Sequence, residues 1–135
     1  MSIVPRRKSP SPKLKSVSYY KKKLDKIFSD YIRQRDDYTC ITCGKKGDKT
    51  NIQNGHYVSR SSNSLRYSER NCHAQCVGCN IFKRGAMDAY SLALIIRYGA
   101  EILEELAAEK KKRKEFTRQE LIESIKDYTE KLKNL

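Results

Sequence analysis

The chain has 135 residues, enough for one domain, and with 38% hydrophobic residues, no Trp and a mean hydropathy of −0.80 it holds little material for a core. No stretch approaches the roughly 18 apolar residues of a membrane span, and the start M-S-I-V-P-R-R-K turns polar at once, so no membrane contact and a cytoplasmic location are expected. The formal net charge of +13 exceeds the magnitude of about 2 to 8 that solubility requires, and it argues for a polyanionic partner.

The charge is uneven. Residues 1–35 carry 11 Lys/Arg against 2 Asp/Glu, residues 36–90 carry 8 against 5, and residues 91–135 carry 10 against 9. Residues 1–16 mix Ser, Pro and Lys/Arg and read as a disordered basic tail, either a grip on phosphates or simply a terminus. From about Ser18 to Arg35, residues Tyr20, Leu24, Ile27, Phe28, Tyr31 and Ile32 fall on one face of a helix. Lys21, Lys22, Lys23, Lys26 and Arg33 occupy the remainder, as a solvated face or as a DNA contact.

Two C-x-x-C knuckles follow, Cys40/Cys43 and Cys76/Cys79. In a cytosolic protein such thiols stay reduced, and four of them form a closed tetrahedral site for one structural Zn²⁺ per chain; disulfides or an iron-sulfur cluster are the rival readings. The spacer of 32 residues is longer than the about 15 to 20 of a plain double knuckle, leaving room for an inserted hairpin that carries both histidines. Ile52 to Val58 reads as one strand, with Gly55 marking a bulge or a close backbone approach, and Leu65 to Tyr67 as its return. Cys72, without a partner, reads as a small buried apolar residue.

Cys76 begins a helix expected to run to about Arg84 and to end at Gly85, with Asn80, Lys83 and Arg84 close to one face. Asp88 is the expected cap of a further helix that breaks near Gly99 and resumes through Leu106. Thr117 with Glu120 forms a capping box for the last helix. Its seam of Leu121, Ile125, Tyr128, Leu132 and Leu135 would pack on its own domain or on a second copy in a homodimer. The expected fold is α+β and mostly helical: residues 17–90 hold the N-terminal helix and the zinc-stapled core, and 91–135 a C-terminal helical region.

His56 is the candidate general base, because a neutral imidazole can take a proton from water near neutral pH; a zinc ligand or a core histidine are its alternatives. Asn71 lies 15 residues after His56, and Asn80 lies 9 after Asn71. These residue types at this spacing resemble the HNH, or ββα-metal, endonucleases in their H-N-N form. The segments G-H-Y-V-S-R from Gly55, L-R-Y-S-E-R-N from Leu65, H-A-Q-C from His73 and C-N at Cys79 resemble the phage NinG/Rap recombination proteins, over about 100 residues.

The resemblance implies a small ββα-metal core and hydrolysis of DNA, with branched DNA such as Holliday junctions as substrate. His56 would activate water, Asn80 would hold a catalytic Mg²⁺ or Mn²⁺, and Asn71 would fix the loop bearing His56. Arg60, Arg66, Lys83 and Arg84 are the phosphate-contact candidates. A two-fold substrate suits a homodimer. One departure stands out: many such enzymes place a metal ligand directly before the base, and here that residue is Gly55. Either Asn80 holds the ion with several waters, or His73 supplies a ligand or a phosphate contact.

Overall fold

A computed structural model describes residues 13–135, so most of the expected basic tail lies outside the described residues. The architecture of the described residues is mixed α+β, with about half of them helical and one two-stranded sheet among them. The helix α1 (Val17–Arg35) opens on Ser16, whose hydroxyl accepts the Tyr19 amide hydrogen. This cap satisfies one of the orphan N–H groups of the first turn. Leu24, Phe28 and Ile32, spaced by one turn, are its buried face.

The strands β1 (Ile52–His56) and β2 (Cys72–Cys76) pair antiparallel, from Ile52 opposite Cys76 to His56 opposite Cys72. The returning strand is therefore Cys72–Cys76 and not Leu65 to Tyr67. Leu65 belongs instead to a single helical turn, α2 (Asn63–Arg66), which buries that leucine. All five residues of β2 are buried because both faces of the hairpin are covered. On one face Cys72 joins Leu24, Phe28 and Ile32 of α1 and Leu121 of the last helix. On the other, His73 meets Tyr90 and Tyr98.

Gly55 sits in regular register opposite His73, so it marks a close approach and not a bulge. A Cβ there would come within 2.0 Å of the Gln75 amide oxygen. After β2 the chain makes a short π-helical segment, Gly78–Phe82, wider than the α-helix expected at this point. It ends at Phe82 with Lys83 as its cap, short of the expected Arg84, and Gly85, at φ 88°, lies in the turn beyond, its amide donating to the Cys79 carbonyl. The helix α3 (Met87–Tyr98) starts from Ala86 in a left-handed conformation, and Asp88 lies inside its first turn, so Asp88 does not cap it. Gly99, at φ 102°, separates α3 from α4 (Ile102–Lys110).

In α5 (Arg118–Lys133) the Thr117 hydroxyl accepts from the Glu120 amide, but the Glu120 carboxylate pairs with Lys114 and does not close the box. The apolar seam of α5 is used within the chain: Leu121 is buried against α1, and Ile125 and Tyr128 pack beside it. The Phe28 and Tyr128 rings meet edge to face at 5.0 Å between centroids. Glu69 accepts hydrogen bonds from the Tyr31 and Tyr128 hydroxyls and so ties the start of β2 to both helices. Among the described residues, no helix is long and apolar enough to cross a membrane.

Candidate metal sites and the His56 cavity

The four knuckle cysteines converge. Their sulfur atoms all lie within 4.8 Å of one another, with Cys43 and Cys76 Sγ atoms 3.6 Å apart. A tetrahedral Zn²⁺ with bonds of about 2.3 Å requires sulfurs about 3.8 Å apart, so the cluster could hold a zinc ion. Backbone geometry sets this up. Gly44, at φ 77°, lets its amide bond the Cys40 carbonyl, and the Ile41 amide bonds the Ala74 carbonyl, docking the first knuckle on β2. The Cys79 amide points at Cys76 Sγ at 3.4 Å.

Acidity fits the same purpose. Against burial, the Thr42 hydroxyl and nearby backbone N–H groups bring the Cys40 thiol down to about 6. The Lys45 amide favours the Cys43 thiolate, but burial and the neighbouring cysteines push that thiol up to about 12. Four thiolates cannot crowd together without a cation among them. Cys72 stands apart in the α1–α5 core, where burial raises its thiol well above the ordinary range.

His56, Asn80, Arg60 and Arg66 meet around a cavity of about 210 Å³ that is also lined by Asp25, Gln53 and Asn54. His56 Nε2 lies 2.9 Å from the Arg66 carbonyl oxygen. A carbonyl can only accept, so Nε2 carries the proton and Nδ1 keeps its lone pair. Burial, followed by smaller effects of the Arg60 and Arg66 charges, keeps the imidazole pKa below its ordinary value although the carbonyl bond opposes this. His56 is therefore neutral at pH 7. Asn80 donates through Nδ2 to Gln53 Oε1 at 2.8 Å, which leaves its Oδ1 without a hydrogen-bond donor among the described residues.

Asn71 sits behind this cavity, fully buried. Its Oδ1 accepts the Val58 amide at 2.8 Å, and its Nδ2 donates to the Val58 and Leu65 carbonyls. It thereby pins the loop that leaves His56. The structure does not bring His73 to the cavity. Its side chain is fully buried across the hairpin, where the Tyr90 hydroxyl donates to the Gly55 carbonyl at 2.7 Å and so receives the proton of His73 Nδ1. His73 Nε2 accepts from Tyr98 at 2.7 Å. Burial lowers its pKa to about 3, and with both nitrogens engaged it has no lone pair for a metal. Its two hydrogen bonds run instead to Tyr90 and Tyr98, both in α3.

Lys83 and Arg84 also miss the cavity: both are exposed and line a separate groove with Met87 and Asp88. The helical segment ends at Phe82, with Lys83 as its cap and Arg84 left-handed at φ 50°, so the face that helical spacing assigns them no longer applies. In their place the structure supplies Asp25, from α1. Its carboxylate grips the Arg66 guanidinium at two points, 2.8 Å and 2.5 Å, and so steadies the residue whose carbonyl holds His56. Against its own burial, the Arg66 hydrogen bonds hold the Asp25 carboxyl below its ordinary value. The helical spacing of α1 assigns Asp25 to the polar side; only the 41-residue contact gives it a task.

A family model described as "Bacteriophage Lambda NinG protein" matches residues 5–135. The chain is 36% identical over 124 residues to Protein ninG of Salmonella phage P22, covering 90% of this chain and 60% of that protein. The same identity, with the same coverage of both chains, holds for Protein ninG of Escherichia phage lambda. Protein ninG of Enterobacteria phage H19B is 39% identical over 97 residues, which cover 69% of this chain and 47% of that one. The chain thus spans about three fifths of the first two relatives. No solved structure matches it. The chain belongs to the NinG family of bacteriophage proteins.

Proposed function

We propose that this chain is a metal-dependent DNA endonuclease of phage recombination that cuts branched DNA in the host cytoplasm. One observation carries the proposal: His56, with its proton fixed on Nε2 and its Nδ1 free, shares a cavity with the free Oδ1 of Asn80 and with two arginines. An antiparallel pair of strands followed by a helical segment is also the arrangement that a ββα-metal core requires.

His56 Nδ1 takes a proton from the attacking water as the new O–P bond forms. The P–O3′ bond breaks, the leaving oxygen takes a proton from solvent, and the products are a 5′-phosphate and a 3′-hydroxyl. A general base placed in this way contributes roughly 10²–10⁴-fold. Asn80 Oδ1 is the atom that would hold Mg²⁺ or Mn²⁺, an ion that retains several waters; when bound it neutralises charge developing on the phosphate. Arg60, exposed at the cavity rim, and Arg66, held by Asp25, would receive the phosphate backbone.

A four-way junction offers two equivalent scissile strands, which suits a two-fold dimer. Since α1 covers most of the α5 seam, that dimer would form elsewhere. The test is a labelled four-way junction and a matched linear duplex incubated with zinc-loaded protein and Mg²⁺ or Mn²⁺. Paired nicks at the branch are expected; binding without cutting under either metal would make the chain a DNA-binding module instead.

A further inference from the structure

Gly55 has no side chain with which to supply the second metal ligand, yet a different residue of the same strand lines the cavity and makes no side-chain hydrogen bond among the described residues. Asn54 is half-buried in the cavity wall, two positions before His56 and on the same face of β1. Its Oδ1 has no solvent access and accepts no hydrogen bond. Buried amide oxygens are satisfied in the great majority of cases, and an orphan of this kind calls for a missing partner. The Nδ2 also makes no hydrogen bond among the described residues, so the half-turn about the terminal bond that would present the sealed oxygen to an ion in the cavity breaks none.

We infer that Asn54 is the second protein ligand of the cavity's divalent cation, its Oδ1 acting with Asn80 Oδ1 from the other wall. This rests on the nuclease reading for the identity of the ion. The chemistry agrees with the place. Two neutral amide oxygens are hard donors that suit Mg²⁺ or Mn²⁺, and they leave most of the coordination positions to water and phosphate. Arg60 and Arg66 nearby make a doubly neutral ligand pair a weak site in the absence of DNA, so the cation and the phosphate backbone would bind in support of each other. Gln53 does not compete for the role, because its amide oxygen already accepts from Asn80.

The experiment is Mn²⁺ binding to the zinc-loaded full chain, read by electron paramagnetic resonance, with zinc content and melting temperature as controls. Asn54→Leu removes the oxygen at nearly constant volume and should weaken Mn²⁺ binding about tenfold. Asn54→Asp adds charge to the same position and should tighten it about tenfold, and an Asp variant that binds Mn²⁺ no tighter than the wild type would overturn the assignment. The Asp variant keeps the test decisive if the Leu variant fails to fold. Asn80→Leu separates the two claims. If it weakens binding while both Asn54 variants match the wild type, Asn54 is not a ligand and the nuclease metal stands. If none of the three changes binding, the cation does not occupy this cavity, and both claims fall.

Discussion

The cysteine cluster and the His56 cavity share one hairpin from opposite ends, Cys76 pairing opposite Ile52 at one and His56 opposite Cys72 at the other. At the first end four like atoms converge within 4.8 Å and leave no position for a fifth partner. At the second, unlike groups surround about 210 Å³ of space, and each keeps an atom free: His56 Nδ1, Asn80 Oδ1 and the Asn54 amide. A closed donor set holds a fold together, whereas an open one can accept a substrate. With so little apolar material in the chain, zinc bound at the closed site would supply the rigidity that the open one needs.

The comparison breaks most severely at Cys76→Ser. Removing one of the four sulfurs should release zinc and unfold the domain, because the binding free energy of a structural zinc is also folding free energy. Zinc analysis and thermal melting check this. An unchanged melting temperature would place the metal elsewhere.

Asn71→Ala attacks the open end without touching the closed one. It deletes three hydrogen bonds of a fully buried side chain, and a loss of about 2–4 kcal/mol is expected with zinc retained. Denaturant unfolding with parallel zinc analysis would measure both. Loss of zinc in this variant would show that the two ends are not independent.

Acid sharpens the contrast through His73. Its folded pKa, about 3, lies below the ordinary 6.5, so the unfolded chain binds the proton that the native chain refuses. Stability from this group is complete above pH 6.5 and declines as pH falls from there toward 3, by about 1.4 kcal/mol per unit in the steep part. Unfolding at pH 7 and pH 5 should differ by about 2 kcal/mol more in the wild type than in His73→Gln. Equal differences in the two proteins would show that His73 titrates normally.

Asp25→Asn should have the smallest effect on stability, about 1 kcal/mol, because its ion pair with Arg66 is partly exposed. Cleavage should nonetheless fall roughly tenfold as the carbonyl that orients His56 loosens. The conservative Asp25→Glu should recover part of that rate if orientation is what Asp25 provides.

Much of this arrangement was legible in the sequence, and the failures have physical causes. The four cysteines, the apolar stripe of α1 and the break at Gly99 depend on local chemistry and short spacings, which a sequence displays directly. The resemblance implies that Asn71 fixes the loop bearing His56, and its hydrogen bonds to Val58 lie in that loop. The strand Cys72–Cys76 was missed because helices cover both of its faces, so no alternation marks it. Lys83 and Arg84 lie away from the cavity because the helical segment ends at Phe82, whereas the spacing rule assumes a helix through Arg84. Asp25 and Asn54 carry no local signal: one acts through a partner 41 residues away, and the other is conspicuous only because nothing bonds to it.

Catalysis by His56 is tested most directly by comparing wild type and His56→Ala on a labelled four-way junction in Mg²⁺, at matched zinc content and melting temperature. Cleavage should fall by about 10²–10⁴-fold, with junction binding retained. Undiminished cleavage by a folded, zinc-loaded His56→Ala protein would contradict it.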